Sequence, residues 1–365
     1  MTVRERFLAV LKGERPDRMP WFADLNYLYA HYEAQGTLTP ELTGVQGFVN
    51  LARRWRCGLM YYNQQPFRTR FTGGVTYEER RRGNDLVSVY HTPRGELVAR
   101  STFSPASSSW GYTEHFVKNL NDLELMLYIH QNTRYEPDFE AFDRVTALVR
   151  EEGVNVALAP ISVAPVQKLT ARWCGMEHLI DLVYDHEEAF GQIADAMVET
   201  ENDAFDILCA CSAPYVEFAE NLSSEVTGRN LFQRYNQPVY RRRNAQLHAA
   251  GKRTGIHIDG TLRPCLKLLA PSGFDVAEAV TPAPVGDIPL EELRNEAGEI
   301  VIWGGLPGAL FSPQYSDDLF RAHVEHILAT FPLGTPFVLG VADQIPPDGL
   351  IERAHLVREM VEANR

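Results

Sequence analysis

Residues 253–279, RTGIHIDGTLRPCLKLLAPSGFDVAEA, decide the fold of this chain because they contain two short apolar strands separated by a helix. The strands are RTGIHIDG (253–260) and FDVAEA (274–279), and acidic residues follow the apolar part of each one. Regular alternation of such strands with helices is typical of a parallel sheet.

The same alternation extends in both directions and gives eight strand–helix units. The six other predicted strands are MPWFAD (19–24), CGLMYYN (57–63), VNVALAPIS (154–162), APYVEFAE (213–220), IVIWGG (300–305) and PFVLGVAD (336–343). Eight units predict an α/β fold, a (β/α)8 TIM barrel that forms a single domain over residues 1–365. Within it, alternating residues broken by Gly-Gly and Pro-Arg-Gly turns predict an inserted antiparallel hairpin at about 67–105, near the N-terminal third.

Composition and charge exclude several classes of protein. The 365 residues carry 35 Lys and Arg against 48 Asp and Glu, a net charge of −13, which argues against binding to nucleic acid. No apolar run approaches the ~20 residues that span a bilayer, and the first residues lack a secretory apolar core, so no membrane association is expected. Five cysteines at scattered spacing fit reduced thiols and favour a cytoplasmic location.

Polar residues at the carboxyl ends of the predicted strands are the candidate site, because a barrel of this kind builds its active site there. The candidates are Asp24, Tyr27, Glu217, Glu220, His257, Asp259, Glu278 and Asp343. Like charges crowded at one mouth repel one another, so a cation, a basic side chain or shared protons should compensate them.

The pair His257 and Asp259 is the most informative part of this set. Residues two apart on a strand point to the same face, so both side chains can converge on one ion or substrate. With Glu278 and Asp343 from neighbouring strands they predict a metal site for zinc, iron or manganese. The alternative is a histidine that only closes a hydrogen-bond network with a neighbouring acid.

Four further residues are assigned catalytic roles. Glu217 or Glu220 would act as general acid and base, which requires a raised pKa. Asp24 and Tyr27 would orient the substrate.

Four segments resemble the uroporphyrinogen decarboxylase superfamily. They are RERFLAVLKGERPDRMPWF (4–22), VKNLNDLELM (117–126), NLFQRYNQPVYRRRNAQLHAAGKRTGIHIDG (230–260) and GVADQIPPDGLIERAHLV (340–357). The resemblance implies a (β/α)8 barrel, a small-molecule substrate and a homodimer.

Within that superfamily, the layout is similar to corrinoid-dependent methyltransferases, which carry zinc on a His-x-Cys and a later Cys. Here His257-x-Asp259 and Asp343 stand at those places, so carboxylates replace both thiolates. The resemblance implies a metal-assisted methyltransferase or demethylase-like enzyme, with zinc expected first, manganese or iron as alternatives, and a corrinoid protein as a further partner.

Two other functions stay open. The first is a uroporphyrinogen decarboxylase-type carboxy-lyase. The segment FADLNYLYAHY (22–32) lacks the arginines that hold the anionic porphyrinogen in those enzymes, and acids at the mouth disfavour such a ligand. The second is a corrinoid- or tetrapyrrole-binding protein without turnover.

Overall fold

The computed structural model describes residues 1–105 and 109–364. Its strands are β1 (Trp21–Phe22), β2 (Leu59–Tyr61), β3 (Phe67–Phe71), β4 (Thr76–Arg82), β5 (Asp85–Thr92), β6 (Gly95–Ser104), β7 (Ser109–Glu114), β8 (Thr133–Pro137), β9 (Gly153–Asn155), β10 (Ala157–Leu158), β11 (Tyr215–Leu222), β12 (Arg253–Ile258), β13 (Val276–Val280), β14 (Val301–Pro307) and β15 (Phe337–Ala342).

Helices alternate with the parallel strands through most of the described chain. They are α1 (Val3–Leu11), α2 (Asn26–Ala34), α3 (Gly44–Arg54), α4 (Leu120–Gln131), α5 (Phe139–Val149), α6 (Pro165–Lys168), α7 (Gly175–Asp185), α8 (Glu187–Thr200), α9 (Asn202–Ala210), α10 (Ser224–Leu231), α11 (Gln237–Ala249), α12 (Leu266–Leu269), α13 (Leu293–Ala297), α14 (Asp317–Thr330) and α15 (Arg353–Ala363). A π-helical segment, Leu169–Trp173, continues α6.

The centre of this α/β fold is a curled parallel sheet of seven strands in the order β1-β15-β14-β13-β12-β11-β10. A second parallel pair joins β2 to β9, which is separated from β10 by Val156 alone. The Val156 amide donates to the Tyr61 carbonyl over 2.7 Å, and a parallel bridge joins Phe22 to Gly58 beside β2. Each of the eight strands predicted from the sequence overlaps one of these parallel segments.

The antiparallel region extends further than the predicted insertion at 67–105. Strands β4 to β7 form a four-stranded antiparallel sheet that ends at Glu114, and β3 pairs with β8 over residues 133–137. The local pattern misses β7 because most of its side chains are exposed, and it misses β8 because the partner strand is distant in sequence.

Aromatic residues fill the curled sheet near the amino ends of its strands. Phe7 of α1 packs on Phe22, Tyr215 and Trp303, with ring centroids 5.6, 5.6 and 4.9 Å away. Helix α1 begins with a capping box between Thr2 and Glu5, which satisfies its free amides. This end of the interior is therefore packed, and the polar residues lie toward the carboxyl ends.

The five cysteines are free thiols in the structure. Among the described residues, no helix combines the length and the apolar character needed to cross a membrane.

Candidate active site

Three ionisable side chains form a row across neighbouring strands of the parallel sheet. Glu217 lies on β11, His257 on β12 and Glu278 on β13. His257 and Glu278 are direct neighbours in the strand register, and Glu217 lies opposite Gly255. The Nδ1 atom of His257 lies 2.5 Å from a carboxylate oxygen of Glu278, so the ring is held by a buried acid.

The other ring nitrogen of His257 faces two further carboxylates. Its Nε2 atom lies 3.5 Å from Asp259 and 3.9 Å from Asp343. Asp259 follows β12 directly and Asp343 follows β15, so the two acids come from separate strand ends. One nitrogen of His257 and one oxygen from each acid lie within 4.8 Å of one another, a spacing that suits a shared ion.

A second group of possible ligands lies deeper in the sheet. Glu217, His257 and Glu278 also offer atoms within 4.8 Å of one another. Tyr215 donates a hydrogen bond to Glu217 over 3.3 Å. A Cβ atom at Gly255 would lie 1.8 Å from the Tyr215 hydroxyl, so only glycine leaves room for this contact.

The electrostatics of the cluster follow from burial and from its excess of acids. Burial, followed by the Glu278 carboxylate, raises the pKa of Glu217 well above its usual value. Burial also raises the pKa of Asp24 to about 7 and that of Asp343 to about 6. Burial alone would lower the pKa of His257, but the Glu278 and Asp259 carboxylates outweigh it and raise that pKa well above its usual value.

Among the described residues, no arginine or lysine pairs directly with an acid of this cluster. Within residues 1–105 and 109–364, the ion pairs formed by Asp259, Glu278 and Asp343 all involve His257, and Asp24 and Glu217 form none. A group of acids without a basic partner favours a bound cation or shared protons.

Asp24 and Tyr27 lie beside the cluster, at the beginning of α2. One carboxylate oxygen of Asp24 accepts hydrogen bonds from the Asn26 amide and side chain over 2.9 and 2.8 Å. The Tyr27 amide donates to the Gln344 side chain over 2.9 Å, which joins α2 to the residue after Asp343. Burial raises the pKa of Tyr27, and the Asp343 and Asp259 carboxylates add to the shift.

Glu220 lies apart from the other predicted site residues. It is fully buried, and one of its oxygens accepts hydrogen bonds from the amides of Val163 and Ala164 over 2.8 and 3.1 Å. Burial raises its pKa to about 7. These contacts tie the end of β11 to the loop before α6, so the structure brings Glu217 to the cluster and leaves Glu220 outside it.

Two tyrosines join the candidate site in addition to the residues singled out from the sequence. Tyr215 contacts Glu217, and Tyr62 follows β2. Burial raises the pKa of Tyr62, as do the nearby Asp24 and Glu278 carboxylates. Tyr215 lies two positions before Glu217 on a strand, which is the only local signal that could have pointed to it.

Two cavities adjoin this region and share Tyr62 and Asn63 in their walls. The first, of about 500 Å³, lies between the antiparallel strands and the α6 segment. The second, of about 410 Å³, lies beside α2 and includes Asn26, Tyr27 and Gln344.

The family model described as uroporphyrinogen decarboxylase (URO-D) matches residues 112–364, more than half of the chain. The chain belongs to the uroporphyrinogen decarboxylase family. The match begins within β7 and includes Glu217, His257, Asp259, Glu278 and Asp343, whereas Asp24, Tyr27 and Tyr62 lie before it.

The fold of the chain is also similar to those of solved structures. A "methyltransferase from Methanosarcina mazei" matches with a TM-score of 0.65 and 14% identity, over 100% of this chain and 99% of that chain. A B12-independent methionine synthase from Shewanella sp. W3-18-1, in complex with selenomethionine, matches with a TM-score of 0.40 and 12% identity, over 73% of this chain and 76% of that chain. No curated protein matches the sequence. At such low identity the first match shows the fold alone, while membership of the decarboxylase family supports an enzyme and leaves its reaction open.

Proposed function

We propose that this protein is a metal-assisted methyltransferase or demethylase-like enzyme that acts on a small molecule at the carboxyl ends of its parallel strands. The observation that carries the proposal is the placement of His257 between two kinds of carboxylate. Glu278 holds one ring nitrogen, and Asp259 and Asp343 face the other.

The scaffold we propose is a (β/α)8 barrel. Parallel pairings support this proposal. The seven-stranded sheet runs from β1 to β10, β9 precedes β10 in the chain and pairs with β2, and the bridge from Phe22 to Gly58 joins the region of β2 to β1. In such a barrel the carboxyl ends of all eight strands surround one mouth, which is where enzymes with this fold place their chemistry.

His257 Nε2, Asp259 and Asp343 would hold the divalent ion. Glu278 would then act on His257 rather than on the ion, because a carboxylate at the second ring nitrogen fixes the orientation of a metal-binding imidazole. One histidine and two carboxylates suit zinc, and the oxygen-rich set also suits manganese or iron. When bound, such an ion supplies a Lewis acid that polarises a substrate oxygen or thiol.

The surrounding residues would position the substrate and move protons. Burial and the Glu278 carboxylate raise the pKa of Glu217 and so favour its protonated form, which suits a residue that would serve as general acid and then as base. Asp24 and Tyr27 would orient the substrate from the α2 side. A corrinoid protein would be the methyl donor or acceptor partner. Glu220 has no role in this mechanism, because it lies outside the cluster and one of its carboxylate oxygens already accepts hydrogen bonds from two backbone amides.

Metal binding to wild type and to a variant with both aspartates replaced tests this proposal. We expect wild-type protein treated with a chelator to bind one equivalent of zinc or manganese in calorimetry and to melt at a higher temperature with the ion. The double variant Asp259→Asn with Asp343→Asn should lose both effects. Equal binding by the double variant, or no binding by wild type, would contradict the proposal.

A carboxy-lyase is the second candidate, favoured by the pKa of about 7 at Asp24, which lets that acid be protonated or ionised near neutral pH. It predicts release of carbon dioxide from a porphyrinogen at a rate that chelators do not change, and loss of that release in Asp24→Asn.

A further inference from the structure

The cavity of about 500 Å³ beside the candidate site has aromatic walls. Six aromatic residues contribute to its lining: Tyr62, Phe67, Phe71, Tyr90, Tyr135 and Trp173. Antiparallel strands β3, β5 and β8 supply four of them, and the π-helical segment after α6 supplies Trp173. Flat side chains from several elements around a space of this size are typical of a site for a flat organic molecule.

The charged residues in the cavity lining are two cations and one anion. Lys168 and Glu201 are buried and form an ion pair with each other. Arg172 is the third charged residue in the lining. His130 adds no charge near neutral pH, since burial lowers its pKa to about 3. The lining therefore has a formal net charge of +1 in a chain whose net charge is −13. Burial lowers the pKa of Lys168 to about 7, whereas the effect of burial on Arg172 is outweighed by nearby tyrosines, which raise its pKa, so Arg172 is the lasting cation of the lining.

Arg172 is the uncompensated cation of this cavity. Its side chain donates to the Tyr90 hydroxyl over 2.9 Å, and its guanidinium carbon lies 5.8 to 6.0 Å from the ring centroids of Tyr90, Phe116 and Trp173. In the described part of the chain, no carboxylate forms an ion pair with Arg172. A guanidinium surrounded by aromatic rings loses part of its hydration, which costs free energy unless a counter-ion is present. Its planar set of N–H donors matches the two oxygens of a carboxylate.

We propose that this cavity binds an organic carboxylate with a flat, unsaturated body, whose carboxylate pairs with Arg172. The aromatic walls contact the body, and the Lys168–Glu201 pair fixes the polar side of the cavity. Because Lys168 and Glu201 pair with each other, an anionic ligand would balance the charge of the half-buried Arg172.

Tyr62 connects the cavity to the acidic cluster. It lines the cavity, and its hydroxyl lies in the field of Asp24, Glu278, Asp343 and Glu217. A carboxylate held on Arg172 would direct the opposite end of the molecule past Tyr62 toward His257. This step rests on the proposed function and identifies the substrate class as an organic acid with a flat body, whereas binding to Arg172 does not depend on it.

Binding of 2-naphthoate, followed through tryptophan fluorescence and calorimetry, tests the proposal. The neutral amide 2-naphthamide and inorganic phosphate are the comparison probes. We expect wild type to bind 2-naphthoate about ten-fold or more tightly than the amide, the size of effect that one charged hydrogen-bonding partner provides. Equal affinity for acid and amide, absence of naphthoate binding, or phosphate binding as tight as naphthoate binding would overturn the proposal.

Three variants separate the role of Arg172 from general effects. Arg172→Gln should bind acid and amide equally, and an unchanged affinity for the amide shows that the cavity persists. Arg94→Gln is the matched control, because Arg94 also stacks on a tyrosine, Tyr128, but is exposed and outside the cavity. Glu201→Gln should tighten naphthoate binding, a gain that loss of folding cannot imitate. Retained selectivity in Arg172→Gln, or no gain in Glu201→Gln, would contradict the assignment.

Asp343→Asn distinguishes this proposal from the metal site. It should lose metal binding and keep its preference for naphthoate. If wild type fails to bind metal and still selects naphthoate, the proposed function is lost and the cavity assignment stands; the reverse result removes only the cavity assignment.

Discussion

At the scale of single residues, the side chain of His257 determines what the candidate site can do. Its two nitrogens face different partners, a buried glutamate at 2.5 Å and two more exposed aspartates at 3.5 and 3.9 Å. In the proposed function, this division gives Glu278 the role of positioning His257 and gives the two aspartates the role of holding the ion. Glu278 was predicted from the sequence as a metal ligand, and its short contact with Nδ1 is the reason that we now give it the positioning role.

Glu278→Gln tests that role. We expect the affinity for zinc or manganese to fall by about 10–100-fold, the usual effect of losing the carboxylate behind a metal-binding histidine. Glu220→Gln is the matched control, since Glu220 is also a buried glutamate on a strand of the same sheet, β11, but lies outside the cluster. Calorimetric titration with zinc or manganese measures the metal affinity of both variants. An equal loss in Glu220→Gln would contradict the separation of the two glutamates.

Gly255→Ala tests the packing beneath the cluster. The added Cβ would lie 1.8 Å from the Tyr215 hydroxyl, and Tyr215 is enclosed by Phe7 and Trp303. We expect the free energy of unfolding, measured by urea denaturation, to fall by about 1–3 kcal/mol, because overpacking a buried site has a cost of that size. Gly191→Ala in α8, where a Cβ has open space, should instead stabilise by about 0.5–1 kcal/mol. An unchanged free energy of unfolding in Gly255→Ala would contradict the close packing at that position.

At the scale of elements, helix α1 closes the amino ends of the strands and is held by one ion pair. The buried guanidinium of Arg6 donates to both oxygens of Asp17 over 2.6 and 2.9 Å. The hydrogen bond from Arg6 holds the pKa of Asp17 well below its usual range. Since the folded state favours the ionised form, the stabilisation is complete above the unfolded pKa of about 4 and is lost as the pH falls below it.

Asp17→Asn should therefore lower the free energy of unfolding at pH 7. We expect a loss of about 1 kcal/mol, because Asp17 is 44% exposed and solvent screens the pair. Chemical denaturation at several pH values should show a constant difference from wild type above about pH 5, and the difference should shrink below about pH 4. A difference that grows with acidification would contradict this assignment.

The elements also show what sequence patterns can and cannot predict. Strand ends were predictable because apolar segments followed by acids mark them, and the carboxyl ends of parallel strands meet at one edge. The odd spacing between Glu217 and Glu220 places them on opposite faces of a regular strand, so only one of the two can face the cluster. Arg172 was not predicted because the cavity that it lines is built partly by the pairing of β3 with β8, which is not local in sequence.

At the scale of the whole molecule, charge is distributed unevenly. The formal net charge of −13 includes four acidic residues around His257, while the lining of the neighbouring aromatic cavity has a formal net charge of +1. The acidic cluster favours a cation, and the cavity favours an organic anion. A molecule that reached from Arg172 to the proposed metal would have its carboxylate on Arg172 and its reacting end at the ion. These two different contacts would fix the direction in which it binds.

The most direct test of the central claim is anomalous X-ray scattering from crystals of wild-type protein, purified without a histidine tag or added metal and compared above and below the zinc, iron and manganese absorption edges. The proposal predicts one anomalous peak at about 2.0–2.2 Å from His257 Nε2, with an oxygen of Asp259 and of Asp343 at similar distances and Glu278 bound only to Nδ1. Density for His257 with no such peak, also after soaking in each of the three ions, would contradict it.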